Sequence, residues 1–257
     1  MIPQPQSTAH TSMKLLPLVA LSFLAAASLH AGEKQIFNGK DLTGWKGVEG
    51  FWSVQDGCIT GATKTDHMIT ENSFLVWEDG QPGDFELTCK FKLTDQNGGT
   101  EGFGNSGIQY RSKVVNPEYS VVAGYQADMD LQNHYTGMLY EEKGRGILCK
   151  PGEKVIISSA EKDAANPKSK DFKIEVTGSS GTADEIKGII KAGEWNDYKL
   201  IIKGNHLQHF INGHQTADIT DNDAAHAAQS GVIALQLHKG PTGMTVQFKD
   251  MVLKTGN

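Results

Sequence analysis

Three short stretches of the chain place polar residues at every second position, with apolar residues between them. The pairs are Gln109 with Arg111, Gln126 with Asp128, and Gln236 with His238. Residues i and i+2 of a β-strand share a face, so each pair would project from one side of a sheet. Amides donate and accept hydrogen bonds, and arginine offers a fixed fork of donors, which suits a hydroxyl-rich ligand. We predict a ligand-binding face; the alternative is the ordinary solvated face of half-buried strands.

Further polar side chains lie between the second and third of these stretches. Tyr140, Glu141 and His134 are predicted to contact the ligand, although the pair Glu141-Glu142 is also typical of a solvated turn. His209 falls in a hairpin and is predicted to be a surface residue. The sequence contains no nucleophile elbow, phosphate-binding loop or zinc-protease helix motif, which removes the hydrolase mechanisms that local motifs reveal.

The elements that would position these residues are strands. Short apolar runs alternate with turn residues, and the spacing of amphipathic helices is hard to find. Strands are predicted at residues 51–54, 58–60, 85–93, 106–110, 124–128, 194–203, 207–211, 231–238 and 245–253. The turns Gly204-Asn205 and Asn212-Gly213 predict a three-stranded meander, since Asn-Gly is a strong hairpin signal. Residues 162–171 are predicted to be a surface loop, and residues 221–229 a loop or a short helix. The pattern predicts an all-β fold of two packed antiparallel sheets.

The N-terminus has the pattern of an export signal. A lysine at position 14 precedes an apolar run and the small-residue exit Ser28-Leu29-His30-Ala31. Residues 1–31 are therefore predicted to be upstream residues and a secretory signal peptide, and residues 32–257 a single domain. The run is short for a transmembrane helix, so we expect a periplasmic or extracellular protein that does not bind the membrane after cleavage.

Net charge restricts the classes of binding partner, and the cysteine content restricts disulfides and zinc sites. The net charge of −6 argues against nucleic acid and anionic membranes. The three cysteines, Cys58, Cys89 and Cys149, permit at most one disulfide within a monomer and lack zinc-site spacing. Cys89 continues an alternating strand pattern and is predicted to be a buried thiol. The oligomeric state is left open.

An ordered set of motifs resembles the 3-keto-disaccharide hydrolase domain family over about the whole predicted domain. The motifs are IFNGKDLTGW at 36–45, GNSGI at 104–108 with Arg111, GYQ at 124–126, TGMLY at 136–140, GEWN at 193–196, ING at 211–213 and GVIALQLH at 231–238. The resemblance implies a concanavalin-A-like jelly roll of the lectin and glucanase type. It also implies cleavage of glycosides oxidised at C3 of the sugar. The run after Gln126 departs from the family pattern and leaves both Asp128 and Asp130 as candidates.

A ketone at C3 acidifies the C2 proton, so a base can remove that proton and expel the C1 substituent, after which water can add. This route needs a base and donors aimed at the enolate oxygen, not paired carboxylates at a fixed separation. We predict His238 or Asp128 as the base and Arg111 as the group that stabilises the enolate. Hydroxyl recognition falls to the substrate-binding residues Gln109, Gln126, Gln236 and Tyr140. No cofactor is certain; a divalent cation held by Asp128 and Glu141 is the alternative to Arg111.

Two other functions fit the same features. A non-catalytic carbohydrate-binding protein would use the same glutamines, with Trp45, Trp52 or Trp195 as stacking platforms. A structural domain of the cell envelope would use neither. The fold alone does not discriminate between an enzyme and a binding protein, because one architecture can host both. We expect an enzyme first and a binding protein second.

Overall fold

A computed structural model of the chain describes Met1 and residues 32–163, 165–166 and 168–256. The predicted upstream residues and signal peptide, residues 1–31, lie outside the described residues apart from Met1. Within the described ranges, no helix combines the length and the hydropathy needed to cross a membrane.

Strands dominate the described residues. In chain order they are β1 (Glu33–Gln35), β2 (Trp45–Lys46), β3 (Trp52–Gln55), β4 (Cys58–Ala62), β5 (Ser73–Trp77), β6 (Phe85–Asp95), β7 (Asn105–Asn116), β8 (Val121–Asp130), β9 (Leu139–Glu142), β10 (Gly146–Cys149), β11 (Glu153–Ser159), β12 (Phe172–Ser179), β13 (Asn196–Lys203), β14 (His206–Ile211), β15 (His214–Asn222), β16 (Val232–Leu237) and β17 (Met244–Thr255). The short helix α1 (Ala183–Ile189) begins at a capping box in which Thr182 and Glu185 bond each other's backbone.

The strands form two sheets. Within the described part of the chain, the larger sheet has the order β12-β11-β15-β14-β13-β6-β17-β4-β3, with β1 also paired to β17. The smaller sheet has the order β10-β9-β8-β7-β16-β5-β2. Neighbouring strands are antiparallel except β11 and β15, which are parallel. The meander predicted from its two turns is β13-β14-β15.

The core lies between the two sheets because the strands alternate apolar and polar side chains. In β16 the apolar residues Ile233, Leu235 and Leu237 face this core, together with residues of the larger sheet such as Leu87 and Phe248. The opposite side of the smaller sheet is called the pocket face here. On that side Val232 and Ala234 belong to a separate small cluster, and Gln236 follows them in the same alternation.

A bulge bends the hairpin formed by β7 and β8. The pairing register shifts between Tyr110 and Lys113, and Arg111 takes a positive φ of 47°. Gly124 on the partner strand has a φ of 144°, and a Cβ there would lie 2.5 Å from the Ser112 hydroxyl oxygen. Glycine is therefore required at this bend.

Beyond the bend, the hairpin folds across the pocket face and reaches β5. The Phe74 amide donates to the Ser120 carbonyl over 3.0 Å. Val122 of the hairpin packs with Phe74, Val76, Val232 and Ala234. The hairpin thus covers part of the pocket face and leaves the rest open.

Each of the nine predicted strands has a counterpart, and the two-sheet architecture is confirmed. The strands β1, β2, β5 and β9 to β12 were not predicted. Strand β5 shows no alternation of polar and apolar residues because all five of its residues are buried, so the sequence pattern did not indicate it. Strand β15 extends to Asn222, so residues 221–229 begin as strand instead of a loop or helix.

The prediction for His209 is wrong. This residue is fully buried, and its Nε2 lies 2.9 Å from the Tyr110 hydroxyl. Its neighbours in alternation, Leu207 and Ile211, also face the core. Burial lowers the pKa of His209 to about 4, so the imidazole is neutral at ordinary pH. Cys89 is a buried thiol, as predicted, and the other two cysteines are also buried and free.

Candidate functional site

The open part of the pocket face holds a cavity of about 230 Å³. Its polar side chains are Asn72, Asn105, Gln126, Asp128, Glu142, Gln236 and His238, and its other walls are Tyr135, Met138, Tyr140 and Ile147. The volume is below the roughly 300–1,000 Å³ of pockets for drug-sized ligands. It therefore suits one compact polar ring.

Strand alternation and register bring these residues together. Gln126 and Asp128 share one face of β8, and Tyr140 and Glu142 share the same face of β9. Gln126 stands directly opposite Tyr140 across this pair of strands. On β16, Gln236 points to the pocket, and His238 follows the end of the strand. Five of the residues that the sequence predicted for the site are thus neighbours.

Amide side chains form a connected layer beneath the pocket. The amide groups of Gln109 and Gln126 meet at 2.7 Å, and those of Gln126 and Gln236 at 3.4 Å. Gln109 has no exposed surface and also contacts the Ser112 hydroxyl at 2.6 Å. Gln109 therefore supports the site from below and does not line it. Gln126 and Gln236, which line the pocket, have their amides held in place before a ligand arrives.

Two carboxyl groups border this layer. Glu142 Oε2 lies 3.5 Å from the amide nitrogens of both Gln236 and Asn72. Asp128 is almost fully buried, and its Oδ1 accepts a 2.8 Å hydrogen bond from the Met129 amide. Burial raises the pKa of Asp128 well above its ordinary value, an effect that the charges of Asp130 and Glu142 reinforce. Burial also raises the pKa of Glu142.

The pKa of the histidine in the site, His238, shifts in the opposite direction. His238 is half-buried and packs against the ring of Phe103, with ring centroids 5.8 Å apart. Burial lowers the pKa of His238 below its ordinary value of 6.5, which favours the neutral imidazole. The pocket therefore holds a carboxyl group that resists losing a proton and an imidazole that resists gaining one. These opposite shifts favour a protonated carboxyl group and a neutral imidazole, the protonation states that an acid and a base require.

Asp130, the other aspartate candidate, has a structural position. Its carboxylate accepts hydrogen bonds from the backbone amides of His134, Tyr135 and Thr136 at 2.7–3.1 Å. It thereby shapes the loop that carries Tyr135 to the pocket wall. Of the two aspartates, Asp128 is the one in the pocket.

The prediction that Arg111 joins Asp128 and His238 in one pocket is wrong. The positive φ at the bulge breaks the alternation, so Arg111 does not share a face with Gln109. Its guanidinium donates to the carbonyls of Gly83, Gly204 and Ala228 at 2.9, 2.7 and 3.1 Å, and to the Asp84 carboxylate at 3.1 Å. These groups belong to loops of the larger sheet and to the segment before β16. Arg111 is therefore an anchor of the bend.

Glu141 also points away from the pocket, contrary to prediction. Glu141 stands opposite Tyr125, a core residue, and its carboxylate binds Arg145 at 2.8 and 3.1 Å. Arg145 is buried and also pairs with Asp221 at 2.7 Å and Asp223 at 3.2 Å. Neighbouring residues of a strand face opposite sides, so Glu142, not Glu141, is the pocket carboxyl on β9.

The geometry does not fit the alternative of a cation held by Asp128 and Glu141. The two carboxyl groups lie on opposite sides of the smaller sheet, and Glu141 is engaged by Arg145. Among the described residues, no group of three or more His, Cys, Asp or Glu side chains is arranged to hold a metal ion.

His134 lies outside the pocket lining. Its side chain is 64% exposed, and its Nδ1 is 3.9 Å from Asp130 Oδ2. Of the polar side chains named above for the cavity, three were not predicted: Glu142, Asn72 and Asn105. Alternation from Tyr140 would have found Glu142, and alternation from Gln109 would have found Asn105. Asn72 precedes β5 outside any strand, so no periodic signal marked it.

Solved structures resemble this chain at low identity. A candidate glycosyl hydrolase from Parabacteroides distasonis ATCC 8503 has a TM-score of 0.51 at 19% identity, covering 88% of this chain and 94% of that chain. The carbohydrate binding module CBM66 from Bacillus subtilis has a TM-score of 0.50 at 14% identity, covering 82% and 96%. These similarities concern the fold, and they confirm a β-sandwich of the lectin and glucanase type.

A search of curated proteins gave no match. A family model does match, and it spans nearly all of the described sandwich. Residues 32–254 fit the model of the 3-keto-alpha-glucoside-1,2-lyase-like domain. The chain therefore belongs to the 3-keto-alpha-glucoside-1,2-lyase-like domain family.

Proposed function

We propose that the pocket is the active site of an enzyme that cleaves 3-keto-glycosides by C2 deprotonation and elimination, with hydration as a further step. The observation that carries this proposal is the joint presence of Asp128 and His238 in one pocket, with pKa values shifted upward and downward respectively. Family membership supports a carbohydrate-related function. The cavity of about 230 Å³ and its amides suit a single oxidised sugar ring.

In the proposed reaction, neutral His238 is the base. It removes the C2 proton, and the electron pair of that bond forms an enolate with the C3 carbonyl. The enolate then collapses: the C3 carbonyl reforms, a double bond joins C1 and C2, and the C1–O bond breaks. The departing alkoxide takes the proton that His238 removed, which restores the neutral imidazole. Water can then add its hydroxyl to C1 and its proton to C2, which completes a net hydrolysis.

Asp128 has the complementary role. Its raised pKa keeps a proton on the carboxyl group, which can then donate a hydrogen bond to the developing enolate oxygen. The amides of Gln126, Gln236 and Asn105 supply further donors at the pocket wall. This arrangement replaces the predicted role of Arg111. No paired ionised carboxylates are needed, in contrast to ordinary glycosidases.

A disaccharide oxidised at C3 of its glucosyl ring, incubated in D₂O, tests the proposal. Proton abstraction at C2 predicts deuterium at that carbon of the 3-keto product, detected by NMR or mass spectrometry. His238→Ala is expected to lower turnover by about 10²–10⁴-fold, the usual contribution of a general base. The matched control is His134→Ala, which removes an exposed imidazole near the pocket and should retain turnover. Full turnover by folded His238→Ala, or equal cleavage of the unoxidised disaccharide, would contradict this mechanism.

A second candidate is a non-catalytic carbohydrate-binding protein. The amide layer favours it, because buried and connected glutamines can bind hydroxyl groups without any reaction. The fold also resembles that of a carbohydrate binding module. Calorimetric binding of the unoxidised disaccharide, with no product from the oxidised one, would favour this candidate over the enzyme.

Export is a separate proposal that rests on the sequence of residues 13–31. Its test is N-terminal sequencing of the mature protein from the periplasm or medium. A start at Gly32 is expected, and retention of residues 13–31 in a cytoplasmic product would refute it.

A further inference from the structure

A second cleft of about 200 Å³ lies next to the pocket. Its apolar lining comprises Val48, Phe51, Met68, Ile69 and the ring of Tyr119. Phe51 is held in place by stacking on His67, with ring centroids 4.4 Å apart and an interplanar angle of 12°. The cleft thus offers an apolar surface with a defined shape, and the proposed reaction does not use it.

The cleft and the pocket share a wall. Glu71 and Ser73 line the cleft, whereas Asn72 between them lines the pocket. Across this wall, Glu71 pairs with Lys143, the residue after pocket residue Glu142, at 3.9 Å. The side chains of this ion pair are 37% and 45% exposed, so the pair is weak and a ligand can pass over it.

We infer that the cleft binds the leaving group of the substrate, and that this leaving group is a compact apolar alcohol. The inference rests on the proposed function, because it assumes that the oxidised sugar occupies the pocket. A group attached at C1 of that sugar must leave the pocket across its rim, and the shared wall at residues 71–73 is part of that rim.

The polar groups of the cleft argue against a second sugar there. The Ser73 hydroxyl already donates to the Tyr119 carbonyl at 2.9 Å, and the Glu71 carboxylate faces Lys143. The Thr70 and Tyr119 hydroxyl groups also line the cleft, but they are too few to replace the water that the several hydroxyl groups of a sugar would lose, which is unfavourable. An apolar ring would instead bury its surface against Phe51, Met68 and Ile69.

The size and rigidity of the cleft agree with this choice. A cavity of about 150 Å³ is enough for a benzene ring, so a cleft of about 200 Å³ admits a six-membered ring with a short substituent. The turn that carries Tyr119 is fastened to β5 by the Ser73 hydroxyl and by the Phe74 amide, which donates to the Ser120 carbonyl. The backbone at Tyr119, whose side chain is 44% exposed, is therefore positioned before a ligand binds.

The test compares two 3-keto-glucosides, each prepared as both anomers. In both compounds the leaving group is a primary alcohol. One carries a cyclohexylmethyl group, and the other carries glucose joined through its 6-hydroxyl, so that leaving-group acidity is similar. We expect kcat/KM to be about 10-fold higher for the cyclohexylmethyl compound, the scale of selectivity in a small apolar pocket. Tyr119→Ser and Met68→Gln should each reduce this selectivity ratio severalfold.

The control variant is Val114→Ser, which removes an exposed apolar side chain of the same hairpin outside the cleft and should keep the ratio unchanged. Thermal unfolding confirms that each variant is folded. Equal kcat/KM for the two compounds, or a ratio unaffected by both cleft variants, would overturn the inference while the proposed function stands. Absence of turnover with both compounds would refute the proposed function and the inference with it.

Discussion

Replacement of Arg111 separates a structural role from a catalytic one. The guanidinium lies 1% exposed and ties the bulge of β7 to three backbone carbonyls at 2.7–3.1 Å. Arg111→Ala removes these hydrogen bonds, so the three carbonyl groups must accept hydrogen bonds from water instead. A hydrogen bond contributes about 1 kcal/mol net, so the loss is about 3 kcal/mol in the free energy of unfolding. The pair with Asp84 adds little, because the Asp84 side chain is 58% exposed.

A loss of this size is a large share of the ~5–15 kcal/mol that stabilises a typical domain. Urea unfolding followed by tryptophan fluorescence is the assay, and the midpoint should fall by about 1 M or more. Arg111→Lys should recover part of the loss, because a lysine ammonium can reach one carbonyl but cannot span three. Lys113→Ala is the matched control, since it removes an exposed cation two residues further along the same strand.

The catalytic rate of the folded variant decides the interpretation. Arg111 lines no part of the pocket, so folded Arg111→Ala should turn over a 3-keto-glycoside within about twofold of the unaltered protein, whereas a lost enolate donor costs about 10²–10³-fold. A large loss of turnover with an unchanged urea midpoint would refute the structural role. It would restore Arg111 as the group that stabilises the enolate.

Two further predictions concern the pocket and the two adjacent glutamates of β9. The kcat/KM profile should fall at low pH as His238 becomes protonated, at a pKa below 6.5, and at high pH as Asp128 loses its proton, at a pKa well above 3.8. Asp128→Asn should abolish the alkaline limb and keep the acid limb, and an alkaline limb that persists would remove Asp128 as the acid. Glu141→Gln should lower the free energy of unfolding by about 1–3 kcal/mol with turnover retained, because it weakens a buried ion pair. Glu142→Gln should lower turnover without such destabilisation; urea unfolding and rate assays distinguish the two, and the reverse pattern would exchange their roles.

Strand alternation predicted the pocket where the strands are regular. Gln126 and Asp128 share a face of β8 as expected, and Gln236 of β16 and His238 just after that strand both line the pocket. No strand was predicted at Tyr140 and Glu141, and both were assigned to the ligand; they belong to β9, where adjacent residues face opposite sides. Glu142 lies two residues after Tyr140 on β9 and therefore shares its face of the sheet.

Alternation failed at Arg111 for a different reason. A β-bulge depends on pairing between two strands, and here it depends on Gly124 across the ladder as much as on Arg111 itself. The sequence of β7 alone does not indicate this shift in pairing register. Asn72 was missed because it precedes a strand whose five residues are all buried and lack a polar alternation.

The misassigned arginine contributes to the fold around the site and not to its chemistry. Its anchors hold the bend that lays the β7–β8 hairpin across the pocket face, where Val122 packs with Val232 and Ala234. Gln236 follows those two residues on the same face and has no exposed surface. Burial of Asp128 and His238 themselves, more than any charge partner, raises the pKa of Asp128 and lowers that of His238. The acid and base of the proposed reaction therefore owe their protonation states to tertiary packing, which residue spacing along the chain does not encode.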